Sequence, residues 1–522
     1  MFLVPAADAG RQRRWSGAAP LRPCRLGGRR VLQRLAPNPR PRKCFPLKPV
    51  AGADDNARMT PAIVRQDERA PSVSVAEVFS ALSFALDITK GHPFGHALRT
   101  CLIGMRLAKR LGLPMVDQRD LYYALMLKDV GCSSNAARVF ELFGGDERVA
   151  KRDLRHVDWA NYFKAARFAL AHAAPGASWF ERACKVAGLA AAGPREAAKL
   201  VETRCQRGSD IVTRLGFSPQ VAAALHSLDE HWDGHGYPRG LRGQEIPLLA
   251  RLMGLAQTLE VFAALEGPRA ALDVARERGG HWFDPTLVDA AAELEPDLAH
   301  WCGLDEHALQ QAVRDCEPGD AALLAGPGTL DRIAEGFAAV VDAKSPYTAT
   351  HSARVTDIAV GIASELGQPP AELDELRRAG LLHDLGKLSI PNSILDKPGA
   401  LTPEEWELVR LHPFFTQCVL ERIRGFGALA LIAGSHHERL DGRGYHRQLR
   451  GDAIPRGGRV LAVADMFEAL TANRPYRPAL PEETALRILE NERGVGLDPD
   501  CLDGLIAVLD RSAGRNPAQR AA

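Results

Sequence analysis

The sequence predicts an all-α protein containing two tandem copies of one helical domain. Three observations lead there: apolar residues recur with helical spacing in nearly every patterned segment, no alternating strand series occurs, and the chain repeats itself over a long span. HALRTCLIGMRLAKRLGLP from His96 and HSARVTDIAVGIASELGQP from His351 share His, Arg, Ala, Leu-Gly and Pro at an offset of 255. LKDVGC from Leu127 and LHDLGK from Leu382 keep that offset. After an insertion in the first copy the register resumes at 208, where EHWDGHGYPRGLRGQEIP from Glu230 parallels ERLDGRGYHRQLRGDAIP from Glu438. Copies of roughly 200 residues are too long for a solenoid unit, so each reads as a duplicated globular domain. The expected organisation is a basic leader over 1–73, copy one over 74–290, a helical connector over 291–324, copy two over 325–512 and a disordered tail over 513–522.

The elements of copy two are well punctuated. From His351 the apolar positions Val355, Ile358, Ala359, Ile362, Ala363 and Leu366 trace one stripe, and Gly367 followed by prolines stops the helix. Ile333, Phe337, Val340 and Val341 mark a preceding helix over 330–343. Thr402, Pro403 and Glu405 spell N-cap, first-turn proline and capping box for the helix that follows. Gly- and Pro-rich loops over 441–458 are where binding residues tend to sit. The insertion over 140–195 in copy one is helical in pattern and carries no assignable chemistry.

Composition is that of a soluble protein, 46% hydrophobic and 25% charged, but the net charge of +2 hides a split. Residues 1–50 hold 12 Lys and Arg against the single acid Asp8. The acidic remainder argues against a general nucleic-acid coat. The leader reads as a disordered tail for an anionic partner, as an organelle address, or as sequence upstream of a true start at Met59. No run of 18 apolar residues occurs, so no membrane span is expected and the protein is expected in the cytoplasm. Ten cysteines without a CxxC pair, Cys101 and Cys418 among them, read as small hydrophobes in a reducing compartment rather than a zinc knuckle or disulfide framework.

His351 stands one helical turn before Val355, so its imidazole faces inward. A lone inward His is ordinarily a hydrogen-bonded core residue. This one has company: His383 and Asp384 follow the apolar run LRRAGLL, His412 ends the EEW helix, His436 and His437 are adjacent, and Asp465 interrupts RVLAVADMFEAL. Burying that carboxylate unpaired is costly, so it needs a cation or strong donors. Five His and two Asp exceed one tetrahedral zinc and suit a two-metal site, with donors apt for iron, manganese or another first-row metal. A carboxylate beside an imidazole can bridge two ions, and the chemistry implied is hydrolysis of a phosphate ester.

Copy two resembles the HD-GYP family of metal-dependent phosphohydrolases through HSARV, LLHDLGKLSIP, ILDKPGALTPEEW, HHERLDGRGY, RVLAVADMFEAL and RPYR, which span nearly the whole domain. The resemblance implies divalent iron or manganese ions and hydrolysis of cyclic di-GMP to linear pGpG or GMP. By that likeness His351, His383, Asp384, His412, His436, His437 and Asp465 are the metal ligands, Asp384 and Lys387 are catalytic, and Lys387, Tyr445, Arg474 and Arg477 bind the substrate. Three-metal members place a Glu one turn before the first His; Tyr347 stands there, which implies two ions. Two alternatives remain open, an HD phosphohydrolase acting on another nucleotide and a non-catalytic cyclic-dinucleotide-binding signalling protein. The partners expected are the dinucleotide and, as an option, a second copy of the chain in a homodimer, with no nucleic acid and no membrane.

The family's Gly-Tyr-Pro reads Gly444-Tyr445-His446, which predicts an altered loop order, while copy one keeps Gly236-Tyr237-Pro238. At the seven ligand positions copy one offers His96, Lys128, Asp129, Cys205, Leu228, Asp229 and Gln257, with Glu266 in place of Arg474. An ammonium at Lys128 opposes metal binding. Copy one is therefore read as a domain kept for packing or as a pseudo-enzyme that senses a nucleotide or pairs subunits.

Overall fold

In the computed structural model, residues 73–89, 95–143, 198–319, 324–348, 350–475 and 477–514 are described. The basic leader, nearly all of the 140–195 insertion and the end of the tail lie outside them. Regular structure among the described residues is helical, and β-pairing is limited to isolated bridges such as Asp233 with Arg242 and Asp441 with Arg450. The all-α expectation stands.

The repeat read from the sequence reappears as paired helices, several of them equal in length. In copy one α1 is Val75–Thr89, α2 is His96–Arg110, α3 is Met115–Leu127, α4 covers 198–214, α5 is Pro219–His226 and α6 is Leu248–Glu266. In copy two α7 is Pro327–Asp342, α8 is His351–Glu365, α9 is Pro370–Leu382, α10 is Pro403–Arg410, α11 is His412–Leu420, α12 is Gly427–Gly434 and α13 is Arg456–Thr471. α2 and α8 start on the paired histidines and both run 15 residues; α3 and α9 both run 13. On α8 the stripe Val355, Ala359, Ile362 and Ala363 is buried, and Gly367 takes φ 70° beyond the helix end, a conformation that favours glycine.

A carboxylate from the preceding helix caps each histidine helix. Asp342 accepts from Ser352 Oγ at 2.7 Å and faces its backbone N, while Asp87 accepts from Gly95 N at 3.0 Å and Ala97 N at 3.1 Å. These caps fix where α8 and α2 begin, and hence where His351 and His96 point.

α1 is apolar on all sides, and a helix so patterned is buried on all sides. Val78, Phe79, Leu82 and Leu86 are each at most 1% exposed, worth about 1.5–3 kcal/mol apiece relative to exposure. It packs against α2 and α3 of its own copy. It also packs against α11 and the 3-10 turn Leu385–Ser389 of copy two, so the first helix of copy one abuts the wall of the second copy's site. Glu77 on α1 seals the contact by accepting from Arg424 N at 2.8 Å and from its Nε at 2.9 Å.

Two expectations need adjustment. His412 does not end the EEW helix: α10 stops at Arg410, and His412 opens α11, because Pro413 at the next position has no N–H to continue the ladder and starts a new helix instead. The Thr402 capping box on α10 forms as read, with Thr402 N donating to Glu405 Oε2 at 2.7 Å. By length and composition one described helix, α6, could cross a membrane, yet 67% of its apolar stretch is buried inside the protein.

Candidate metal centre

Five elements converge on one buried point in copy two. The N-terminus of α8 brings His351, the C-terminus of α9 brings His383 and Asp384, the start of α11 brings His412, the end of α12 brings His436 and His437, and mid-α13 brings Asp465. The seven side chains fall into three overlapping groups, His351/His383/Asp465, His383/Asp384/His436 and His412/His436/His437, each with its ligand atoms within 4.8 Å of one another. All are buried except His437, which is half-buried.

Asp384 is the hub. Its Oδ2 lies 3.2 Å from His351 Nε2 and 3.3 Å from His383 Nε2; its Oδ1 lies 3.4 Å from His412 Nε2 and 3.9 Å from His436 Nε2. One carboxylate thus faces two sets of imidazoles, as a bridging ligand must. Asp465 stands 3.3 Å from His351 Nε2 on one side and 3.8 Å from His437 Nδ1 on the other.

The imidazoles are aimed by their outer nitrogens. Nδ1 of His383, His412 and His436 contacts the carbonyls of Gly380, Val409 and Ala433 at 2.6, 2.7 and 2.6 Å. A carbonyl can only accept, so each Nδ1 carries the proton and each Nε2 presents a lone pair inward. His412 Nε2 and His436 Nε2 consequently face each other at 3.0 Å as two lone pairs. Burial drives the His412 pKa down to about 3, and burial with His383 and His412 nearby holds His436 well below the usual imidazole range, so neither takes a proton to relieve that contact. A cation between them does. His351 Nε2, His383 Nε2, Asp384 Oδ1 and Asp465 Oδ1 are buried without a hydrogen-bond partner. Buried polar atoms normally have partners, and these four converge. The residues fit divalent metal ions.

His351 differs from the other imidazoles. Burial lowers its pKa, but Asp384, Asp465 and Glu468 around it more than offset that and raise it to about 10. Asp384 is opposed by burial too, yet His383, Lys387 and His351 hold its carboxyl well below the usual range. A metal ion held by His351 would take the place of the proton that these carboxylates favour there.

The residues expected on substrate are placed as follows. Lys387, 6% exposed, puts its ammonium on Asp384 Oδ2. The Tyr445 ring lies 4.5 Å from the His437 ring, with the Arg410 guanidinium 5.9 Å from its centroid. Arg474 does not reach outward: it is 5% exposed and donates to Glu468 Oε2 at 2.9 Å. Arg477 spends its guanidinium on the Ala469 and Leu470 carbonyls at 2.6 and 2.9 Å, closing the end of α13. Both arginines contact α13 and its C-terminal turn. Tyr347 is 42% exposed and offers no carboxylate.

Glu468, Glu438 and Gly386 were not singled out from the sequence. Glu468 Oε2 accepts from His351 Nδ1 at 2.6 Å, orienting the first ligand. Glu438 accepts from Arg447 N at 3.0 Å and Leu449 N at 2.8 Å, clamping the Gly-Tyr-His loop; Glu230 clamps the Gly-Tyr-Pro loop in the same way, from Arg239 N at 2.7 Å and Leu241 N at 2.9 Å. The loop order expected to suffer from His446 is kept by that carboxylate, and His446 instead lies half-buried, 3.2 Å from Gln417 Oε1. A Cβ on Gly386 would sit 2.0 Å from His412 O and 2.9 Å from Thr416 N. The repeat carries the signal for all three, since Glu260, Glu230 and Gly131 stand at the matching positions.

That close approach also corrects one equivalence between the copies. A Cβ on Gly131 would meet Arg204 O at 2.1 Å and Gly208 N at 2.9 Å, so Arg204, not Cys205, matches His412.

Comparison with known proteins agrees with this geometry. The HD domain family profile matches residues 192–287 and 337–501. The chain belongs to the HD domain family. The HD-GYP resemblance of copy two stands with it, and the profile reaches into copy one as well. The HD chain is 41% identical over 436 residues to the 3'3'-cGAMP-specific phosphodiesterase 3 of Vibrio cholerae, covering 84% of this chain and 95% of that protein. It is 39% identical over 180 residues to the cyclic di-GMP phosphodiesterase response regulator RpfG of Xanthomonas campestris, covering 34% of this chain and 47% of that one. Among solved structures, a cyclic GMP-AMP specific phosphodiesterase of Vibrio cholerae (V-cGAP3) superposes with a TM-score of 0.58 at 36% identity, over 84% of this chain and 98% of that one.

Proposed function

We propose that this HD protein is a metal-dependent phosphodiesterase of cyclic dinucleotides, acting on 3'3'-cGAMP through copy two. The observation that carries the catalytic reading is the set of four converging, partnerless ligand atoms around Asp384, together with the opposed lone pairs of His412 and His436. His351, His383 and Asp465 would hold one ion and His412, His436 and His437 the other, with Asp384 between them. Iron and manganese suit that donor set. When bound, such ions polarise a phosphodiester and activate water near neutral pH. Lys387, freed from neutralising Asp384, would offset charge on the phosphate, and the Tyr445 ring beside His437 offers a nucleobase an apolar face. Arg474 acts through Glu468 as a positioning residue.

The choice of 3'3'-cGAMP is supported by the extent of likeness, since the Vibrio cholerae cGAMP enzyme matches across both copies whereas RpfG matches over about a third of the chain. Cyclic di-GMP, the substrate the HD-GYP resemblance implies, is the second reading, favoured by the relatives that align over a shorter stretch. The test is hydrolysis of 3'3'-cGAMP, cyclic di-GMP and cyclic di-AMP, followed by chromatography, using protein purified without oxygen. Cleavage of 3'3'-cGAMP faster than the others, lost in His383→Ala and Asp384→Ala, is expected. Faster cleavage of cyclic di-GMP selects the second reading; binding without cleavage across iron and manganese removes the enzymatic one.

A further inference from the structure

Copy one keeps the outer shell of the candidate metal centre but fills its interior with cationic side chains. Lys128 stands where His383 does, and its ammonium lies 2.9 Å from His96 Nε2 and is ion-paired to Asp129, the counterpart of Asp384. The Lys128 side chain is 0% exposed and that of Asp129 1%. Arg204 stands where His412 does, and its guanidinium is ion-paired to Asp229, the counterpart of His437. The outer layer is kept: His96 Nδ1 contacts Glu260, the counterpart of Glu468, and Glu260 accepts from Arg99 Nε at 2.8 Å, while in copy two Arg354, the counterpart of Arg99, lies 3.7 Å from Glu468 and Arg474 bonds it. We infer that Lys128 and Arg204 are protein-supplied cations that occupy the two metal positions of copy one and hold its centre folded without metal.

Two further observations bear on this. Whereas His351 Nε2 and Asp384 Oδ1 are left without hydrogen bonds in copy two, the matching His96 and Asp129 are satisfied by Lys128. And among the described residues the groups able to hold a metal all lie in copy two. A divalent ion entering copy one would have to sit beside a buried ammonium, in a medium where like charges are poorly screened. Copy one therefore keeps its fold, and the α1 surface it presents to the Leu385–Ser389 turn, whatever the metal supply. This inference rests on copy one alone and survives or falls independently of the substrate.

Metal analysis of the full chain carrying His383→Ala, Asp384→Ala, His412→Ala and His436→Ala, which dismantles all three candidate groups of copy two, after incubation with manganese and with iron, tests the first half. No bound ion is expected; about one equivalent retained in copy one overturns the inference. The second half is tested by a double-mutant cycle on thermal unfolding. Lys128→Met alone should lower Tm by roughly 5 °C or more by stranding Asp129, and adding Asp129→Asn should recover much of that loss. Additive losses would mean that Lys128 merely fills space, which overturns the cation role. If Lys128→Met does not fold, Lys128→Arg settles the point: a folded, metal-free protein is expected, and failure of that charge-conserving variant to fold overturns the role of charge.

Discussion

Glu468→Gln removes one charge and moves no backbone, so it isolates what the outer carboxylate contributes to the metal centre. Glu468 Oε2 receives His351 Nδ1 at 2.6 Å and Arg474 Nη2 at 2.9 Å, and all three residues are at most 5% exposed. Both donors share Oε2, so an amide oxygen in that place still accepts from both, and the amide NH2 takes the Oε1 position, facing Arg354 Nη1 at 3.7 Å. The acceptor loses its charge for both contacts, so the His351 bond falls from about 1.5–3 kcal/mol to the neutral range of about 0.5–1.5 kcal/mol. At 1.4 kcal/mol per tenfold, that loss of about 1–1.5 kcal/mol should lower metal affinity about tenfold, the low end of the range for outer-layer partners of metal-ligating histidines. Competition against a calibrated chelator measures this directly, and circular dichroism establishes that the variant is folded. A folded variant with metal affinity within about twofold of the parent would refute the argument that Glu468 orients His351.

Gly386→Ala should fail to build the centre at all: its Cβ would lie 2.0 Å from His412 O, a backbone atom that cannot move without carrying His412 with it. Soluble Gly386→Ala protein with normal metal content would contradict this. pH should act on the metal-free protein through His351. Its folded pKa, about 10, lies above the ordinary 6.5, so its protonated form stabilises the fold fully below pH 6.5, and that contribution drains away as pH rises toward 10. Denaturant midpoints in chelator should accordingly drop between pH 6.5 and 9.5 by more in the parent than in His351→Gln, and equal drops would exclude His351 as the cause. Because a metal ion held by His351 would take the place of the same proton, apparent metal affinity should rise about tenfold per pH unit over that window.

The fold was legible wherever one residue could be compared with its own counterpart. Matching offsets set the helix that starts at His96 against the one that starts at His351, Asp465 inside an apolar run pointed to a buried cation, and the full set of candidate ligands came from the HD-GYP resemblance. What escaped was set by contacts between distant segments. Glu468 looks like any polar residue on α13 until His351, 117 positions away in the chain, is seen against it. Arg474 and Arg477 were expected on substrate because arginine suits phosphate, but whether a guanidinium points outward or onto its own helix end depends on the turn after α13, which no periodicity encodes. His412 was assigned to the wrong helix, though Pro413 already signalled a fresh start. The Cys205 equivalence is one position off the 208 register, which pairs His412 with Arg204, and the close approach of Gly131 to Arg204 agrees with that register.

The most direct test of a two-ion phosphodiesterase in copy two is a stoichiometric titration of metal-free protein with manganese, followed by cyclic-dinucleotide hydrolysis. Activity that is absent at the start, appears with added metal and reaches its plateau at two equivalents per chain is the predicted result. Hydrolysis undiminished in the metal-free protein, or full metal uptake with no turnover of any cyclic dinucleotide, would contradict it.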